Sequence, residues 1–169
     1  MKMKTKDLVL AALFTAISLL IPILFPRLEM GPFSATFASH VPVFIAMFVS
    51  PLVAFAAGIG SMLGFFLKGA PIYIVARAAM HIILGIVGAF MLKKRTNIWI
   101  VGTATMIVHA LLETVAVMPF LFLVPLDDNF TWYQLIIIGT SIHHVIDFVI
   151  AVLIVKVLDK TGLFKEYRK

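Results

Sequence analysis

IYIVARAAMHIILGIVGAFML, from Ile72 to Leu92, decides the reading. It has about the length that crosses a bilayer as a helix. Yet Arg77 lies inside it, and His81 follows one helical turn later. An ionisable group at such depth is costly, and its presence points to a role. Two further apolar segments repeat the arrangement, with His109 and Glu113 at i,i+4 and His143 and Asp147 at i,i+4. That spacing puts both members of each pair on one helix face. The three faces are expected to converge on a polar pocket within the membrane.

Composition supports this setting. Of 169 residues, 62% are hydrophobic and 13% charged, far too little polar surface for a water-soluble domain of this size. The chain reads as one all-α integral membrane domain spanning residues 1–169. It has no cysteine, so neither a disulfide framework nor a thiolate metal site is available. The formal net charge is +6, but the basic residues sit at the ends of apolar segments. This is a topology signal and not a nucleic-acid patch. The start, MKMKTKDLVLAALFTAISLLIPILF, has a long apolar part and no small-residue cleavage site after it, so it is expected to be a retained helix and not a signal peptide.

Working outward, six transmembrane helices are expected, at about 7–25, 40–49, 51–67, 72–92, 98–122 and 132–158. Five is the alternative if the second and third form one bent unit. Pro22 and Pro26 bend or end the first, Ser50-Pro51 marks a turn, and Pro119 should distort the outer end of the fifth. Polar loops are expected from Arg27 to Ser39 and from Pro125 to Thr131. With six spans both termini lie on one side. Lys2, Lys4, Lys6, the Lys93-Lys94-Arg95 cluster, Lys156, Lys160, Lys165, Arg168 and Lys169 then share it, while Arg27 and Lys68 face the other. The positive-inside rule puts both termini in the cytoplasm. The loops with Glu29 and Asp127-Asp128 face outward. At 1.5 Å per residue, Arg77 lies about 8 Å and Glu113 about 10 Å below the outer helix ends.

Arg77 suits a substrate carboxylate, because its planar fork makes two parallel hydrogen bonds. The plainer reading is an ion pair with Glu113 that ties two helices. His40, His81, His109, His143 and His144 all lie in or at the edge of apolar segments. Together they read as the lining of a polar cavity. His144 points about 100° away from His143, so at most one of the two is expected to face the pocket directly. Imidazole and carboxylate also suit zinc, nickel or cobalt, but no HExxH-type motif is present, and no metal or other cofactor is expected. Trp132 and Tyr133 fit an interfacial aromatic belt, or a ring that stacks on an aromatic ligand. Ala12 and Ala16 form an AxxxA, and Ala56, Gly60 and Gly64 a small-residue row; both permit close helix approach in lipid. No P-loop GxxxxGK[ST] is present, and no inverted repeat is visible, so active transport by this chain would need an energy source elsewhere.

The chain resembles a known family at this point. Its size, six spans, cytoplasmic termini, long first outer loop, AxxxA in the first helix and opening KTKDLVLAALFTAI resemble the substrate-binding S component of energy-coupling factor (ECF) vitamin transporters. The stretches SATFASHVPVFIAMFVSP (Ser34 to Pro51), GSMLGFF (Gly60 to Phe66) and VARAAMH (Val75 to His81) are most similar to the niacin-type members. The metal-transporting relatives carry a histidine near the start, and this chain, beginning MKMK, lacks it. The resemblance implies high-affinity capture of a small vitamin from outside, under a gating loop at Arg27 to Ser39. It implies docking through Ala12 and Ala16 onto a transmembrane coupling protein driven by two cytoplasmic ATPases. The chain itself would be no enzyme, and would sit in the plasma membrane as a multi-pass protein without nucleic-acid partners. Nicotinate fits the residues: Arg77, released to it by Glu113, meets its carboxylate, a histidine (His40, His81, His109 or His143) or other donor meets its ring nitrogen, and Phe33, Trp132 or Tyr133 stacks on its face, with Ser34 in the binding set. Competing readings are an S component for another small vitamin or precursor, an intramembrane metal-dependent enzyme using His81, His109, His143, Glu113 and Asp147, and an assembly subunit whose polar groups only tie helices.

Overall fold

A computed structural model describes residues 5–124 and 131–162. Lys2, Lys4, Lys165, Arg168, Lys169 and the Asp127-Asp128 loop lie outside the described residues.

Among the described residues the helices are α1 (Thr5–Leu24), α2 (Val41–Met47), α3 (Pro51–Leu67), α4 (Ile72–Lys93), α5 (Ile98–Val117) and α6 (Trp132–Asp159). Local chemistry sets their ends. Ser50 caps α3 by accepting from the backbone N–H of Val53 at 3.2 Å, with Pro51 in the first turn. Gly69, at φ 74°, takes the left-handed position just past its C-terminus. Asn97 caps α5, and Thr131 with Gln134 forms a capping box on α6. Pro119 stands where α5 gives way to a tighter 3₁₀ turn, Met118–Leu123.

Among the described residues, four helical stretches have the length and hydropathy to cross a membrane: 5–24, 72–93, 98–123 and 132–159. α3 is a shorter apolar helix of 17 residues. The expected second span is different. α2 has only 7 residues, all of them buried, and is about 10 Å long. It is too short to cross alone, and its Phe44 and Val43 are fully enclosed. The expected polar loop before it is also different. Arg27–Met30 (β1) and Phe33–Thr36 (β2) pair as an antiparallel hairpin, Arg27 opposite Thr36 and Met30 opposite Phe33. Gly31 at φ 53° opens its two-residue turn, the position at which a type II′ turn takes glycine. β1 is mostly exposed, and β2 is mostly buried against the bundle.

Close backbone contacts fix the helix directions. A Cβ on Gly60 would strike the backbone of Thr15, and one on Gly64 that of Leu19. α1 and α3 therefore run parallel and nearly in contact, as small-residue rows allow. Lys68, at the end of α3, donates to the Phe25 carbonyl at 2.6 Å, just past α1. α4 runs against α3, with Gly58 packed on Ile82 and Gly85 on Ala54. α5 runs against α4, with Arg77 at Glu113 and His81 at His109, and α6 runs against α5, with Thr140 at Glu113 and Phe148 at Gly102. α2 runs alongside α4, with Val43 at Gly85 and Met47 at Gly88. The N-terminus of α1 and the C-terminus of α6 thus share one end of the bundle. The hairpin and α2 together carry the chain back from the far end of α1 to the start of α3.

Candidate functional site

Arg77, 3% exposed, occupies the face of α4 that looks toward α5 and the hairpin. Its Nε and Nη2 donate to Glu113 Oε2 at 3.2 and 2.8 Å. Nη1 donates to the Pro32 carbonyl at 2.9 Å and to Ser34 Oγ at 3.2 Å, and Nη2 to the Ser34 carbonyl at 3.3 Å. These bonds use the full donor fork of a guanidinium. The Phe33 ring lies against its face, 5.5 Å from Cζ, within cation–π range. The ion pair therefore does more than tie α4 to α5. It also latches the hairpin tip onto the bundle.

Glu113 is divided between two environments. Oε2 takes Arg77 and a hydrogen bond from Thr140 Oγ1 of α6. Oε1 faces the histidines, 3.3 Å from His109 Nε2 and 3.8 Å from His81 Nε2. His40, at the N-terminus of α2, brings its Nε2 to 2.8 Å from His81 Nε2. Its Nδ1 bonds Asp147 Oδ2 at 3.0 Å. Asp147 also accepts from the backbone N–H groups of Ala38 and His40, at 3.2 and 3.0 Å. One carboxylate on α6 thus holds the turn that leads from the hairpin into α2. Ala38 takes a positive φ of 61° there, a conformation that such outside bonds stabilise. His143 Nε2 lies 3.2 Å from Ser39 Oγ. His144 points the other way, to His109 and Thr105, in keeping with the angle between successive helical residues.

Ser34, Thr36, Ser39, His40, Arg77, His81, Glu113, Thr140 and His143 line one cavity, with Phe65, Ile74 and Ala78 as its apolar wall. The free space at its middle is about 20 Å³, room for about one water. A ring-sized guest requires these side chains, or the hairpin above them, to part. Phe33 sits over the Arg77 side, and His109 lies directly behind Glu113. Trp132 and Tyr133 are not brought to the cavity. Trp132 packs on the apolar cluster that includes Tyr73 and Val117, and Tyr133 is 43% exposed. Ala12 and Ala16 lie on the exposed face of α1, opposite Leu10, Phe14 and Ser18, which pack inward. Thr36, Ser39, Ser61, Thr140 and the anchoring by Asp147 escape sequence reading. Small hydroxyls in apolar helices read as packing, and the partners of Asp147 are over a hundred residues away.

A buried arginine–carboxylate pair under a hairpin, set in apolar helices, defines a membrane protein with an enclosed polar cavity. The chain is 37% identical, over 171 residues, to the niacin transporter NiaX of Lactococcus lactis subsp. cremoris (strain MG1363), a match that covers 94% of this chain and 77% of that protein. It belongs to the same family, the substrate-binding S components of energy-coupling factor vitamin transporters, and is a multi-pass membrane protein that is not an enzyme. No family profile matches the chain, and no solved structure does.

Proposed function

We propose that this chain captures nicotinate at the outer face of the plasma membrane and delivers it to an energy-coupling factor module, a transmembrane coupling protein with two cytoplasmic ATPases. In this reading residues 1–169 form one membrane domain that crosses six times, the hairpin and α2 together making the second crossing. Both termini are cytoplasmic in this reading, which the basic clusters support. The carrying observation is the donor fork of Arg77, held by Glu113 on one edge and by hairpin oxygens on the other. Pro32 and Ser34 occupy the donors that a carboxylate would use. When the hairpin lifts, the Nη1 edge is freed for a ligand carboxylate, and Glu113 keeps the guanidinium charge neutralised meanwhile. A planar anion matches that edge with two hydrogen bonds. Phe33 offers a ring face beside it, and His143 with Ser39 offers a donor for a ring nitrogen. His40, His81 and His109 complete the polar wall. The relative's printed function and the niacin-type stretches at Ser34 to Pro51, Gly60 to Phe66 and Val75 to His81 support the choice of vitamin. Ala12 and Ala16, exposed on α1, form the docking face for the coupling protein.

Native mass spectrometry of detergent-purified protein, followed by calorimetric titration with nicotinate, tests this. A bound or titratable nicotinate at one per chain is expected. A folded protein that carries a different vitamin and ignores nicotinate would overturn the assignment.

A further inference from the structure

Three histidines and Glu113 show a pattern that vitamin capture does not require. His40 Nε2, His81 Nε2, His109 Nε2 and Glu113 Oε1 converge, and the nearest ligand atoms of the four residues all lie within 4.8 Å of one another. The separations 2.8, 3.3 and 3.8 Å between them bracket the roughly 3.3 Å edge of a tetrahedron with zinc–ligand bonds of 2.0–2.1 Å. All four residues are at least 96% buried.

The outward nitrogens matter as much. His40 Nδ1 is held by Asp147, His81 Nδ1 by Ser61 Oγ at 2.9 Å and His109 Nδ1 by His144 Nδ1 at 3.1 Å. Metal-ligating histidines characteristically donate their second nitrogen to such a partner, and the Ser61 hydroxyl can accept from His81 Nδ1 as readily as donate to it. The direction of the His109 bond follows from the partners. Thr105 Oγ1 gives its proton to the Val101 carbonyl at 2.7 Å, so it accepts from His144 Nε2. His144 Nδ1 is then an acceptor, and His109 Nδ1 must donate to it. A neutral His109 therefore presents a bare Nε2 lone pair to a carboxylate oxygen. Among the described residues that nitrogen has no hydrogen-bond partner, although His109 is fully buried. His40 Nε2 and His81 Nε2, 2.8 Å apart, share one hydrogen bond, and a metal would replace that proton.

We propose that His40, His81, His109 and Glu113 bind a divalent transition-metal ion, zinc by the chemistry of the donors. Three imidazoles and one carboxylate oxygen within 4.8 Å of one another are a zinc-type donor set. The ion would cross-link α2, α4 and α5 beside Arg77, and Glu113 would bridge it to the guanidinium through its two oxygens.

The test uses tag-free, full-length protein in detergent, stripped with a chelator and titrated with zinc alone. Bound metal is counted by elemental analysis after desalting. About one zinc per chain is expected, with cobalt in its place giving the visible absorption of a tetrahedral site. Zinc should also raise the melting temperature. His109→Gln and His81→Gln should each weaken zinc binding by about tenfold or more. A folded protein that retains less than a tenth of an equivalent would overturn the proposal. So would stoichiometric zinc that both variants keep undiminished, since the metal would then sit elsewhere. Because no vitamin is present, failure here leaves nicotinate capture standing, and failure of the nicotinate titration leaves the metal site standing.

Discussion

Arg77 carries the account at the residue scale. A charge within a membrane helix is tolerated only when its partners are close and complete. Here the partners are Glu113, Ser34 and the Pro32 carbonyl. Lysine keeps the charge but not the fork. Arg77→Lys should therefore fold yet lose nicotinate affinity by about tenfold or more, a loss of about 1.4 kcal/mol or more, read by titration. Glu113→Gln removes one half of a buried pair. Breaking such a pair costs about 3–5 kcal/mol, so its melting temperature should fall sharply, and nicotinate should restore more of it than it adds to the native protein. Arg77, Glu113 and the histidines were legible in the sequence because polar groups are conspicuous in apolar runs, and i,i+4 spacing gave two of their faces. Trp132 and Tyr133 were equally conspicuous but lie away from the cavity, because aromatic rings at a helix start serve an interfacial belt equally well.

The informative element is the hairpin. Its strands are four residues each and show no clear alternation, so RLEMGPFSAT reads as a polar loop until tertiary contacts are known. The bundle supplies those contacts. β2 is mostly buried, Arg77 holds the tip, and Phe33 packs on Gly139 of α6. A Cβ at Gly139 would come within 2.6 Å of the Phe33 ring. Gly139→Ala should push that ring aside and loosen the hairpin. Faster nicotinate dissociation with little change in association is expected in stopped-flow displacement. α2 is less legible. Its apolar run looks like a truncated span, and only its complete burial shows that it is a core helix preceded by the hairpin.

Over the whole molecule, the directions of packing put both described ends at one end of the bundle, in agreement with the basic clusters. The row Gly60–Gly64 is consumed by α1, whereas Ala12 and Ala16 remain on the outer face of α1. The sequence could not separate these two small-residue rows, because small-xxx-small spacing serves internal packing and partner docking alike. Ala12→Trp with Ala16→Trp adds bulk only on that free face. This variant should bind nicotinate as tightly as the native protein but lose cellular uptake and co-purification with the coupling protein. Loss of both binding and uptake would place those alanines within the fold of the site.

The proposed capture of nicotinate rests on Arg77 recognising a carboxylate. Titration of native protein and Arg77→Gln with nicotinate and with its neutral amide, nicotinamide, tests it most directly. A charge-assisted hydrogen bond is worth about 1.5–3 kcal/mol. Native protein should therefore prefer nicotinate by about tenfold to a hundredfold, and Arg77→Gln should erase most of that preference while remaining folded. Equal affinity of the native protein for the two ligands, or a folded Arg77→Gln that retains full nicotinate affinity, would contradict the account.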